Sequence, residues 1–313
     1  MTATSPPRRA RAAKGRMARK EQRAAYLFLS PWLLGLVLFS LGPILASLVL
    51  SLTDWSLGGD ASWVGGENYR ELAADRNFRE SLKVTLLYIV LSVPLYMAAG
   101  LGLSLLLNLR LRGMNIFRTI LFVPSVLSGV AVAILWASLL NPDAGAVNWL
   151  LRAIGIDDPP RWLGSPTWAV PAVVLIGLWS VGGGAIIYLA GLQNIPAQLY
   201  EAARLDGARA WDRFRFVTWP MLTPTMLFVL LTSLINAFQV FDVAYVLGGT
   251  PGGTRESLRF YLINLWSEGF GQGRLGYASA LAWVLIVLAA VVIITIFRTS
   301  GRWVYYEHDP ERR

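Results

Sequence analysis

The sequence contains no cysteine, which excludes disulfides and thiol-based metal or redox sites. Its single histidine, His308, lies in the polar C-terminal tail and reads as a solvated side chain rather than a catalytic base. Charge is scarce: 15% of the 313 residues are Asp, Glu, Lys or Arg, against about 25% in soluble domains. No G-x-x-x-x-G-K-[ST] segment occurs, so the chain has no P-loop with which to cradle ATP. No Asp, Glu, Lys or Arg stands midway along the long apolar runs, where an ion-coupled carrier would need one. A membrane enzyme acting on lipid or glycan would need acids, His or metal ligands gathered near one interface, and the acids here are scattered. No internal repeat stands out.

What is present is apolar. Hydrophobic residues make up 55% of the chain, including 13 Trp and 11 Tyr, and mean hydropathy is +0.50. Trp and Tyr favour bilayer interfaces. A helix crossing a bilayer needs about 20 mostly apolar residues. Six stretches qualify: Ala25–Leu50, Val84–Leu107, Ile116–Leu140, Trp168–Leu192, Met221–Leu247 and Tyr277–Phe297. The expected fold is therefore an all-α integral membrane protein of six transmembrane helices. Kinks are expected at Pro43, Pro94, Pro124 and Pro171.

The net charge of +9 could suggest nucleic acid, but its distribution points to lipid. Eight basic residues, Arg8, Arg9, Arg11, Lys14, Arg16, Arg19, Lys20 and Arg23, precede the first apolar run. Such a leader is a cytoplasmic anchor at a lipid surface. No nucleic-acid partner is expected. The first run is too long for a cleavable signal peptide and lacks a small-residue cleavage site. With six spans, the leader side carries nineteen Lys and Arg and the opposite side nine. Both termini are thus expected in the cytoplasm. The organisation read is a basic cytoplasmic tail over 1–24, disordered until it meets the membrane, a six-span domain over 25–300, and a cytoplasmic tail over 301–313.

One inner-side segment breaks the pattern. "YEAARLDGARAWDRFRFVTWPMLTP", Tyr200–Pro224, gathers seven charges around Gly207. Pro196 suits a first helical turn. Leu199, Ala202 and Ala203 then form an apolar stripe, with Glu201 and Arg204 toward the polar side. Gly207 reads as a left-handed helix end. A second short helix follows, carrying Trp211 and Phe214, with Asp206 as its candidate cap and Pro220 closing it. Two readings remain open from the residues alone. The element is either an interfacial anchor or a docking surface for a cytoplasmic partner.

The segment resembles the EAA motif of binding-protein-dependent ABC importer permeases: EAA, three residues, then Gly. Five further stretches, "WVGGENYREL", "LFVPSVLSGV", "NPDAGAVNWLL", "FQVFDVAYVLGGTPGG" and "GYASALAW", resemble the carbohydrate-type permeases in the same order. The resemblance extends over about Tyr26 to Val304, and the chain looks most like the maltose F-protein and glycerol-phosphate A-protein type. The resemblance implies a type I ABC importer permease fold in the cell membrane of a prokaryote. It implies four kinds of partner: a second homologous permease, two cytoplasmic ABC ATPase subunits, an extracytoplasmic solute-binding protein and a sugar. No cofactor or metal is implied, and ATP hydrolysis belongs to the partners. The coupling loop would cover residues 193–220, with Glu201, Ala202, Ala203, Asp206 and Gly207 at the ATPase contact.

A sugar path needs hydroxyl-pairing groups beside apolar or aromatic faces. The candidates are Ser125, Ser128, Trp179, Ser180, Ser233, Asn236, Gln239 and Asp242. Helix–helix hydrogen bonding is the alternative role for each. The glycine-rich "SVGGGA", Ser180–Ala185, suits close helix packing or a substrate-facing surface. A glycerol-phosphate cargo would recruit Arg or Lys into the path, and no span contains one.

Overall fold

The computed structural model describes residues 8–109, 111–249, 252 and 256–305, with the backbone alone for 8–20 and 23. Arg110, Arg255, His308, Arg312 and Arg313 lie outside the described residues, as does most of the tail over 301–313.

Nearly every element is a helix. Helix α1, Arg8–Leu36, passes through a π turn, Val37–Leu41, into α2, Gly42–Leu50. The leader expected to be disordered is thus helical from Arg8, consistent with its Ala, Arg and Lys content. Short strands β1, Thr53–Asp54, and β2, Ser62–Trp63, pair antiparallel. Helix α3, Glu67–Ala74, precedes the long α4, Arg76–Leu107. Then come α5, Met114–Phe122, α6, Gly129–Leu139, and α7, Ala146–Ala153. The chain continues through α8, Pro166–Trp179, α9, Gly182–Gln193, α10, Ala197–Leu205, and α11, Ala210–Arg213. It ends with α12, Trp219–Phe238, α13, Asp242–Gly248, α14, Tyr261–Trp266, and α15, Leu275–Ser300.

Four helical stretches are long and apolar enough to cross a membrane: Ala24–Leu50, Arg76–Leu107, Ala210–Gly248, which is interrupted between Phe238 and Asp242, and Leu275–Ser300. Two bent pairs complete six spans. Met114–Val126 meets Gly129–Leu139 at 99°, and Pro166–Trp179 meets Gly182–Gln193 at 49°. The sharp bends are not where every proline is. Pro124 precedes the 99° bend, but Pro94 and Pro171 lie inside helices that continue past them. The fourth span instead breaks at Ser180–Val181, next to glycines.

Helix α4 is the hub and packs on α8, α9 and α12. Its Tyr88, Ile89 and Val93 join Val170 and Val173 of α8, Leu234 and Phe238 of α12 and Leu281 of α15 in the main core. A second cluster, including Tyr188, Leu192, Ile195, Leu222 and Met226, lies at the Gly207 end. Polar locks hold the opposite end. Asn68 donates to the carbonyls of Ser51 and Thr53, at 2.8 and 2.9 Å. Asp75 accepts from the Asn77 amide and the Tyr277 hydroxyl, both at 2.8 Å. Arg274 pairs with Glu71 at 2.6 Å and with the buried Glu268 at 3.5 Å. Burial pushes the Glu268 carboxyl above its usual range, and Arg274 only partly offsets this.

Candidate functional site

The charged segment folds as two arms about Gly207. Pro196 occupies the position before α10 rather than its first turn. At the far end of α10, Gly207 adopts φ +78°. The Gly207 amide donates to the Arg204 carbonyl at 3.0 Å, and the Ala208 amide to the Ala203 carbonyl at 2.9 Å. These two bonds are the Schellman closure that a left-handed glycine makes possible. Asp206 stands at the C-terminal end of α10 and does not cap the second arm, contrary to expectation. Asp212 takes that part, accepting from the Arg209 amide at 3.0 Å. It sits three residues into the new turn, where a carboxylate can reach back to the free N–H.

The second arm does not stop at Pro220 either. Helix α11 runs through a π turn, Phe214–Thr218, directly into α12. Pro220 falls in the first turn of α12. The fifth span and the loop arm form one stretch of 39 residues, Ala210–Gly248. Trp211, Phe214 and Trp219 pack ring on ring along it, 5.4 and 6.1 Å apart. The Tyr200 and Thr218 hydroxyls lie 2.9 Å apart and join the arms. The Tyr305 amide donates to Thr223 Oγ1 at 2.8 Å, which puts the end of the sixth span on the same side as the loop.

Glu201, Ala202, Asp206 and Gly207 are exposed and Ala203 half-buried. Around them Leu205 is 89% exposed, Trp211 67% and Phe216 69%. The element presents exposed apolar side chains among charges, Leu205 and Phe216 beside Trp211, whose ring stacks on Phe214.

Two adjoining cavities open between the spans, about 610 and 430 Å³. Tyr88, Ser125, Gly177, Ser180 and Asn236 line both. Ser233 lines the first, and Gln239 and Asp242 the second. Six of the eight predicted path residues therefore converge. Ser128 and Trp179 are not among the lining residues. Ser128 begins α6 at the sharp bend, and Trp179 packs edge-on against Trp136, 6.1 Å away. Reading the sequence missed Tyr88, Tyr96 and Thr232, which line the first cavity. The aromatic residues at Tyr88 and Tyr96 were legible as one face of α4, eight residues apart, but which face turned inward was not.

Span breaks shape this space. The fifth span breaks between Phe238 and Asp242, and the Asp242 side chain lies over Gly129 at the head of α6. Gly182 sits so close to the Leu121 carbonyl that a Cβ would overlap it. The Gly184 amide donates to the Tyr96 hydroxyl at 3.1 Å. The glycine-rich stretch packs tightly at Gly182 and lines the cavity at Gly183 and Gly184. Neither cavity is lined by Lys, Arg or His. Among the described residues no cluster of three or more His, Asp or Glu side chains is arranged to hold a metal.

This is the architecture of an importer permease: bent spans around a mainly apolar cleft set with hydroxyls and amides, and a short exposed helical loop at one end. The chain belongs to the family described as binding-protein-dependent transport system inner membrane component, which matches residues 95–312. It is 38% identical over 300 residues to the probable ABC transporter permease protein YesP of Bacillus subtilis, covering 95% of this chain and 97% of that one. It is 34% identical to the trehalose/maltose transport system permease protein MalF of Thermococcus litoralis, over 89% of this chain and 95% of the relative. To the lactose transport system permease protein LacF of Rhizobium radiobacter it is 38% identical, over 85% and 90%. A bacterial ABC transporter that imports the acidic polysaccharide alginate matches with a TM-score of 0.80 at 26% identity, over 92% of this chain and 99% of that one. The chain is a multi-pass membrane permease subunit of the carbohydrate type, with a type I importer fold, and not an enzyme.

Proposed function

We propose that this permease carries a neutral sugar or oligosaccharide, delivered by an extracytoplasmic binding protein, and that separate ATPases drive it through the Gly207 loop. The carrying observation is the loop itself. Exposed apolar side chains ring Gly207, and the second arm is one helix with the fifth span. A push on that arm reaches Asn236 and the cavity without crossing a flexible joint. An ATPase pair that closes on ATP would bias the spans by its differential affinity for their two arrangements.

The partner set follows from the same reading: a second homologous permease, two ATPase subunits on the loop side and a binding protein opposite. One of the similar solved structures is of the alginate transporter in complex with a periplasmic protein holding an alginate pentasaccharide. The basic leader and the loop arginines support a cytoplasmic position for the loop and both termini. Ser125, Ser180, Ser233, Asn236, Gln239 and Asp242 supply hydrogen bonds along the path, and Glu201, Ala202, Ala203, Asp206 and Gly207 the ATPase contact. A neutral cargo is favoured because neither cavity offers a cation to a carboxylate or phosphate. The test is Gly207→Asp in cells that express the complete importer. Membrane insertion should persist and sugar uptake should stop. Normal uptake by that variant would overturn the proposal.

A further inference from the structure

Four aromatic rings stand in sequence where α13 meets α14. Phe241 and Tyr245 stack with centroids 5.3 Å apart. Trp266 meets Tyr245 edge-on at 5.1 Å and Phe241 at 6.4 Å. Phe270 continues from Trp266 at 6.1 Å. The run has two distinct ends. Phe241 lines the second cavity beside Gln239 and Asp242. Phe270, at the end remote from the Gly207 loop, is 67% exposed.

We propose that Phe270, Trp266, Tyr245 and Phe241 form a stacking track that leads a sugar ring from the outer surface into the cavity. The proposal rests on the sugar-importer reading above. The faces of a pyranose ring carry C–H groups, and its rim carries hydroxyls. Aromatic faces take the first, and unengaged polar groups take the second. The polar groups are in place. The side chains of Tyr245, Gln239 and Asp242 make no hydrogen bond or ion pair among the described residues. Neither cavity is lined by a basic residue, so the track suits a neutral ring rather than a uronate. Here the rings touch one another and end at a cavity.

A stacked track acts on passage, not on capture by the binding protein. It should also matter more for longer chains, which occupy several rings at once. The test measures uptake by cells carrying the complete importer, with a deletion of this chain as the zero. Radiolabelled maltose, lactose, maltotriose and maltopentaose are the probes, and the tagged permease in the membrane is quantified alongside. Trp266→Leu should lower maximal uptake about ten-fold for the pentasaccharide and less for the disaccharides, with half-saturation unchanged. Trp266→Phe should restore it to within about two-fold. Phe270→Leu changes an exposed side chain and cannot unfold the core; it should lower pentasaccharide uptake about three-fold. Wild-type rates in both Leu variants would overturn the track. So would equal losses for all sugar lengths that Trp266→Phe fails to rescue, since that marks a packing role. If no probe needs this chain for uptake, the sugar-importer reading falls first and the track with it.

Discussion

The hydroxyls of Tyr200 and Thr218 lie 2.9 Å apart and tie the two arms of the Gly207 loop. Thr218 is buried at the root of the fifth span, and Tyr200 sits on α10. The bond makes the loop a braced elbow, so that force on α10 also reaches α12. Tyr200→Phe should cost about 1 kcal/mol of stability, the usual loss for one hydrogen bond. If the brace transmits force, ATP-driven uptake should fall by more than that thermal loss accounts for. Thermal unfolding and uptake of the same preparation check this.

Gly207 separates strain from contact. A Cβ there meets nothing within 4 Å, so Gly207→Ala adds only the left-handed backbone penalty, about 1–2 kcal/mol. Gly207→Asp adds a charge to the docking face as well. Alanine should lower the melting temperature modestly and keep most uptake, and aspartate should abolish uptake at a similar melting temperature.

Gly182 is the opposite case. Its backbone is free of unusual torsion, but a Cβ would overlap the Leu121 carbonyl. Gly182→Ala must push α9 from α5 and should cost roughly 1–3 kcal/mol. Melting in detergent checks it.

Arg274 and Glu71 should respond unequally to truncation. Glu71→Ala leaves Arg274 its Glu268 partner and should cost about 0–1 kcal/mol, as for exposed pairs. Arg274→Ala leaves the buried Glu268 with the neutral Gln272 amide, 3.0 Å away, and no cation in contact, and should cost more, about 1–3 kcal/mol; the partial exposure of Arg274 keeps it below a fully buried pair. The pH dependence has a definite sign. Burial raises the Glu268 carboxyl, so the folded form holds a proton that the unfolded chain has already released. The folded state therefore gains on lowering pH toward that raised value. The Arg274→Ala deficit should shrink as the pH is lowered from neutrality, as followed by melting temperature.

In the cavity, Asn236 lines both chambers and lies on the helix joined to the loop. Asn236→Leu keeps the volume but removes the amide. It should lower maximal uptake roughly ten-fold, with the amount of permease in the membrane unchanged.

The six spans were legible because apolar length is a one-dimensional signal, and Gly207 because a left-handed helix end demands glycine. The bends were less so. Proline marks a missing N–H, but Pro94 and Pro171 sit inside helices that continue past them, whereas Ser180–Val181 breaks the fourth span with no proline. Asp206 reads as a cap in the sequence, but the Gly207 turn holds it at the C-terminal end of α10, which leaves Asp212 to reach back to the Arg209 amide. The serines and amides of the cavity could be picked out as polar groups in apolar runs. Tyr88 and Tyr96 could not, because one aromatic face of a helix looks alike whether it meets lipid, core or cargo.

The central claim is that the Gly207 loop is moved by subunits this chain does not contain. Proteoliposomes loaded with ATP test it most directly, prepared with this permease, its companion permease, the ATPases and an external sugar-charged binding protein. The account predicts sugar accumulation with all components present. None is expected when the ATPases are omitted, and none when Gly207→Asp replaces the native chain. Accumulation by this polypeptide alone would contradict it.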